Sequence, residues 1–145
     1  MNTLLDTCVL SELVKPRPDK GLLAWMESQD ETSLRLSVLT LGELGKGISR
    51  LPAGAKRSRL QAWLERDLVK RFSGRILSVD AAVAARWGEM QARAEKLGRP
   101  MPVIDGLIAA TAAVHSLAVV TRNGADMRQS GVEILDPWGE TKKAD

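Results

Sequence analysis

The chain has 145 residues, 44% hydrophobic and 27% charged, enough to bury the core of one domain and with no apolar run long enough to cross a bilayer. Its 21 Lys and Arg against 18 Asp and Glu leave a net charge of +3, a mild lean towards polyanions and no more. A single cysteine excludes an internal disulfide and a cysteine-cluster zinc site, and one phenylalanine with no tyrosine argues against a base-stacking sheet.

"MNTLLDTCVLSEL" opens with a short apolar run, Thr3–Leu5, that stops at Asp6, where a helical pattern over Thr7–Val14 begins. Asp6 has two readings: a cap for the first-turn N–H groups, or a carboxylate set where a buried strand surfaces. Asp6 and Glu12 also interrupt any basic-then-apolar signal segment, so the cytoplasm is the expected compartment. Cys8 sits among apolar neighbours and reads as a small hydrophobe. A catalytic thiol would want a histidine, and the one histidine, His115, falls at a helix C-terminus that accounts for it.

Further strands are expected at Leu34–Val38, Arg75–Val79, Ala118–Thr121 and Val132–Leu135. Between them lie helical patterns at Gly21–Ser28, Thr40–Arg50, Lys56–Phe72, Ala81–Leu97 and Val103–Ser116. Strands separated by helices imply parallel pairing and an α/β layered fold. Leu60, Trp63, Leu64 and Leu68 make one apolar stripe of the fourth helix. Lys56, Arg59, Arg66 and Lys70 fall mainly opposite, as a solvated face or as part of an RNA-contacting one. In "LTLGELGKGISRL", Gly42, Gly45 and Gly47 cost a helix about 1 kcal/mol each relative to alanine. That cost suggests close approach of another backbone, or room for a ligand beside Glu43.

In open parallel sheets, ligands gather at the carboxyl ends of the strands. Asp6 follows the first strand directly, Glu43 lies early in the helix after the second, and Asp126 comes just past the fourth. Asp105 lies in the first turn of the helix announced by "RPMPVIDG". Crowded carboxylates cannot all ionise cheaply, and a hard divalent cation resolves the conflict. An all-oxygen donor set without a histidine cluster favours Mg²⁺ or Mn²⁺ over zinc, and suits phosphodiester hydrolysis.

"LLDTCVLSEL", "LTLGELGKGI", "VIDGLIAATA" and "VVTRNGADM", in this order, resemble the PIN-domain ribonucleases, in particular the FitB-like subgroup of the VapC toxins. The resemblance implies a single PIN-like domain over 1–137, a parallel sheet of about five strands with helices on both faces, and a short polar tail over 138–145. The family's acidic quartet falls on Asp6, Glu43, Asp105 and Asp126, with Asp6 and Asp105 as principal metal ligands for Mg²⁺ or Mn²⁺. Thr7, Ser11, Thr121 and Asn123 match the polar surroundings, and Glu12 a frequent further acid. Cys8 replaces a usual asparagine, Gly106 a commoner alanine and Met127 a usual phenylalanine. The implied activity is metal-dependent cleavage of single-stranded regions of RNA by the toxin of a type II toxin–antitoxin system. The implied partners are the RNA and a small DNA-binding antitoxin encoded adjacently, with no membrane. A homodimer is expected from the resemblance and from apolar surface at Gly42–Gly47, Trp25, Leu60 and Trp63.

Three rival functions fare worse on the same residues. A haloacid-dehalogenase-type phosphatase needs a second aspartate where Cys8 stands, and a receiver domain needs a carboxylate pair beside the first strand. A non-catalytic RNA-binding module suits the basicity but gains nothing from four carboxylates facing a phosphate backbone.

Overall fold

At the centre of the molecule lies β1 (Thr3–Leu5), whose residues are all buried. A computed structural model, which describes residues 1–139, places it in a five-stranded sheet with β2 (Leu34–Ser37), β3 (Ile76–Leu77), β4 (Ala118–Val120) and β5 (Ile134–Leu135). The order is β3-β2-β1-β4-β5 and every pairing is parallel. Parallel neighbours need crossovers, and the helices supply them: α1 (Thr7–Leu13), α2 (Lys20–Ser28), α3 (Val38–Ser49), α4 (Ala55–Ala62), α5 (Val69–Arg71), α6 (Ala81–Lys96) and α7 (Val103–Val114).

Successive strand residues point to opposite faces, so two cores form. Leu5, Leu34, Leu36 and Val120 meet Val9, Leu10, Leu22, Leu44, Leu64 and Phe72 on one side. Leu4 and Val119 meet Ile108, Ala109, Ala112 and Met127 on the other. A third cluster, Val83, Met90, Met101 and Ala110, fixes α6 on the outer side of α7. The expected α/β layering, with about five parallel strands and helices on both faces, is what the chain forms.

Three local expectations need correction. Val38 is helical and not the end of a strand, because the hydroxyl of Ser37 accepts a hydrogen bond from Leu39 N–H and starts α3 there. The helix expected over Lys56–Phe72 is α-helical only at its ends, with a π-helical stretch at Trp63–Leu68. Leu64, Leu68 and Phe72 recur at a strict spacing of four, which drifts around a 3.6-residue helix. The wider turns offset that drift and keep all three buried. The glycines of α3 meet no foreign backbone: a Cβ at Gly42 or Gly47 would meet open space, and one at Gly45 only Leu64 Cδ2 at 3.7 Å.

Close backbone approach occurs elsewhere. A Cβ on Gly21 would lie 2.4 Å from Gly139 N and 2.7 Å from Pro137 O. Asp19 Oδ2 accepts from Gly139 N–H at 3.0 Å and from Leu22 N–H at 2.9 Å, tying the C-terminal segment to the start of α2. Trp138, expected to open a polar tail, is therefore 1% exposed and part of the core, while 140–145 lie outside the described residues. Gly21→Ala forces these two backbones apart, and overpacking of this kind costs about 1–3 kcal/mol. A lower urea midpoint with red-shifted tryptophan emission is the expected result; an unchanged midpoint would show that the segment is not held by this contact.

Candidate active site

The strand order reverses between β1 and β4, and that switch point is where an α/β sheet opens a crevice at its carboxyl edge. Asp6 leaves β1 there and Thr121 leaves β4 beside it. Both readings of Asp6 hold at once. Its Oδ1 accepts from Thr7 N–H at 2.8 Å, capping α1, while Oδ2 accepts from the Thr121 hydroxyl at 2.7 Å. Thr121 Oγ1 accepts in turn from Asn123 N–H at 3.0 Å. These bonds hold Asp6, 4% exposed, in one orientation.

Glu43 projects from the second turn of α3. The Thr7 hydroxyl donates to Glu43 Oε1 at 2.6 Å and lies 3.3 Å from Thr40 Oγ1. Thr40 is buried, one turn before Glu43, and is a site residue that the sequence motifs did not single out. The spacing of three along a helix was the signal available.

Asp105, in the first turn of α7, completes the cleft. Asp6, Thr7, Cys8, Ser11, Glu43, Asp105 and Asn123 share the lining of a space of about 350 Å³ with Lys15 and Arg122. Asp126 comes from a 3₁₀ segment, Gly124–Ser130, that the periodicity did not reveal. It opens on a neighbouring cleft, yet its charge reaches Asp105. Burial, then the negative charges of Asp6, Asp126 and Glu43, push the Asp105 carboxyl up to about 6. Asp6, Asp126 and Glu43 thus all bear on Asp105 across the switch point.

Such a set fits a hard divalent cation. Its donors are oxygens, and Asp105 lacks a compensating positive charge that would lower its pKa. Among the described residues, no three His, Cys, Asp or Glu side chains cluster tightly enough to cage an ion. Mg²⁺ takes one or two carboxylates and leaves its remaining positions to water and substrate phosphate.

The departures from the family pattern have local explanations. Cys8 is not a plain hydrophobe: its Sγ lies 3.8 Å from Asp6 Oδ2 and 3.5 Å from Thr121 Oγ1, and accepts from Arg122 N–H at 3.4 Å. Burial and the adjacent Asp6 charge push its pKa up, the opposite of an activated nucleophile. Gly106 lies close to Trp87: a Cβ there would stand 3.0 Å from the indole Nε1 and 3.1 Å from Cδ1, so the indole would have to give by a few tenths of an ångström. Met127 is fully buried and fills the core beneath the 3₁₀ segment. Glu12 also lines the cleft, and its carboxylate is engaged by neighbouring groups. Burial would raise its pKa, but Lys15 Nζ at 2.9 Å and Asp19 N–H at 3.0 Å hold it low.

Comparison with known proteins agrees with this architecture. Residues 3–131 match the PIN domain. VapC ribonuclease Y4jK of Sinorhizobium fredii is 37% identical over 135 residues, covering 93% of this chain and 96% of its own. Toxin FitB of Neisseria gonorrhoeae is 38% identical over 135 residues, covering 93% and 97%. The solved structure of FitAB bound to an IR36 DNA fragment superposes with a TM-score of 0.89 at 35% identity, over 94% of this chain and 96% of that one. Nucleases of the PIN-domain class generally depend on divalent metal. No helix among the described residues is long and apolar enough to cross a membrane. With its matching segment, its sheet order and its acidic crevice at the switch point, the chain belongs to the PIN-domain family.

Proposed function

We propose that this protein is the toxin of a type II toxin–antitoxin pair, a Mg²⁺- or Mn²⁺-dependent endoribonuclease acting on single-stranded regions of cytoplasmic RNA. The observation that carries the reading is the shared cleft of Asp6, Glu43 and Asp105 at the carboxyl edge of the sheet, where burial and then the charges of Asp6, Asp126 and Glu43 lift Asp105 to about 6. A pure RNA binder would only lose affinity by facing phosphates with such a group. The ribonuclease and toxin names of relatives over 93% of the chain support the same conclusion.

Asp6 and Asp105 would hold the metal. Chemistry that such a cation would supply there is activation of a water and neutralisation of charge developing on the phosphate. The chain's own part is orientation. Thr121 and Thr7 N–H fix Asp6, and the Thr7 hydroxyl fixes Glu43, which would orient the attacking water, while Asp126 adds negative charge from the neighbouring cleft. Water, giving up a proton, adds to phosphorus, the P–O3′ bond breaks and the leaving 3′ oxygen takes up a proton, so the products are a 5′-phosphate and a 3′-hydroxyl.

An apolar groove of about 690 Å³ runs from the site between α1, α3 and α4. Glu43 and Ser11 stand at its active-site end, and Leu44, Ile48, Leu60 and Trp63 line its length. This groove suits an extended or helical antitoxin segment with apolar anchors, whose arginine reaches the carboxylates in charge-assisted bonds. The antitoxin's other end would be a DNA-binding dimer, and the toxin would pair as a two-fold homodimer.

The test combines purified protein, RNA and the adjacent reading frame. Cleavage of a structured RNA in Mg²⁺ or Mn²⁺, none in EDTA, and growth arrest relieved by the adjacent small protein are expected. Cleavage that persists in EDTA would overturn the metal mechanism, and binding without cleavage would leave the RNA-binding module in its place.

A further inference from the structure

Asp126 opens on a second cleft of about 260 Å³, lined by Arg99, Met101, Pro102, Asp126, Arg128 and Gln129 together with Pro100 and Ala125. Its two cations stand on rigid supports. Gly98, with φ +71°, turns the chain at the end of α6, and Arg99 N–H is bound to Ala94 O at 2.9 Å. The Gln91 side-chain amide then grips Met101 from both sides, donating to its carbonyl at 2.9 Å and accepting its N–H at 3.1 Å. Pro100 and Pro102 flank that clasp and restrict the backbone further. Arg128 rides on the 3₁₀ segment, which Gly131, with φ +77°, closes. The Ser130 hydroxyl donates to Met127 O at 2.6 Å and accepts Val132 N–H at 3.2 Å.

Both arginines are exposed, and neither is ion-paired among the described residues. Asp126 is the one acid of this cleft. The first cleft carries cations of its own, Arg122 and the Lys15 that pairs with Glu12. A strand of RNA approaching four carboxylates needs cations on either side of them, since the carboxylates repel every phosphate that the metal does not hold.

We propose that the cleft between Arg99 and Arg128 is a phosphate subsite for the RNA strand on one side of the scissile bond, the two guanidinium groups clamping the backbone beside Asp126. The inference rests on the nuclease reading but deepens it: the clamp positions substrate and takes no part in bond breaking. Planar guanidinium groups on preformed supports match phosphate oxygens and lose little freedom on binding.

The experiment measures binding of a short labelled single-stranded RNA in EDTA across a salt series, alongside steady-state cleavage in Mn²⁺. In the Arg99→Gln/Arg128→Gln variant, affinity should fall at least about tenfold, the loss of one charged hydrogen bond or more. The salt slope should become shallower by about 0.7 to 1.4, one or two phosphate contacts on a single strand. KM should rise by a similar factor with kcat nearly unchanged. The Arg99→Lys/Arg128→Lys variant should keep most of the salt slope, and Lys20→Gln, an exposed cation lining neither cleft, should behave as wild type. Wild-type affinity and slope in the glutamine variant, or a fall in kcat at constant KM, would overturn the subsite. A wild type that binds RNA but never cleaves it would overturn the nuclease reading and leave the clamp to be judged by binding alone.

Discussion

Asp6→Asn and Asp105→Asn should each lower RNA cleavage by about 100-fold or more, beyond the 10–100-fold that loss of a group merely supporting a metal ligand costs. The two substitutions act differently on the fold. The Asp6→Asn side chain would keep one oxygen to cap α1 through Thr7 N–H, so the helix start survives, but the site loses a charge needed to hold the cation. The Asp105→Asn change removes the member whose charge is most opposed by its neighbours. Thr121→Val, which deletes the 2.7 Å bond to Asp6 without touching any carboxylate, should cost about 10–100-fold, the signature of orientation and not of ligation. Cleavage rates on one RNA at saturating Mn²⁺ check the series. Activity retained by Asp6→Asn would remove the proposed metal site.

Metal-free protein should lose stability as pH rises through about 6. The Asp105 carboxyl is pushed up from its ordinary 3.8 to about 6 in the folded state, by burial first and then by Asp6, Asp126 and Glu43. The folded state therefore binds the proton more tightly than the unfolded chain. Its contribution is fully present below about 4 and is lost as pH rises through about 6. In EDTA, the melting temperature should thus fall between about pH 4.5 and about pH 7.5 by more in wild type than in Asp105→Asn, which lacks the titrating group. At the upper end of that range in EDTA, Asp105→Asn should melt higher by about 2–4 °C for each kcal/mol of repulsion relieved. Mg²⁺ binds the carboxylate form, so it should raise the wild-type melting temperature more than that of the variant. It should also shift the acid limb of cleavage to lower pH as its concentration rises. Equal Mg²⁺ responses in wild type and Asp105→Asn would show that Asp105 is not a ligand.

Much of the architecture could be read from local pattern. Thr3–Leu5 and the core of every other expected strand are strands, and α1, α2, α6 and α7 fall within two residues of their expected ends. Strong apolar periodicity and caps such as Asp80, which accepts from Val83 N–H at 3.0 Å, act within a few residues and are visible in sequence. The placement of the carboxylates could also be read in part, since Asp6 directly follows a strand and Asp105 opens a helix, while Glu43 lies in the second turn of α3 and Asp126 beyond β4. Placement of that kind is a local fact with a global consequence.

What local pattern could not carry was anything decided between segments distant in sequence. The π stretch at Trp63–Leu68 answers to a core built by β2, α3 and Phe72, which outweighs the intrinsic preference for an α-helix. Trp138 looks like the start of a tail until Gly21, far earlier in the chain, offers backbone close enough to receive it. Cys8 looks apolar beside Val9 and Leu10, but Thr121 and Arg122 arrive from β4 and give its sulfur polar partners. Glu12 lines the cleft, but its partners Asp19 N–H and Lys15 were not visible from its own segment pattern. The α/β layering and the edge where the carboxylates gather were thus written into the chain itself, since both follow from periodicity and from chain direction. Folding in three dimensions set how far Asp105 is raised, which hydroxyls hold Asp6 and Glu43, and that Arg99 and Arg128 share a cleft with Asp126. Those depend on through-space distances between residues the chain separates widely, which no local pattern encodes.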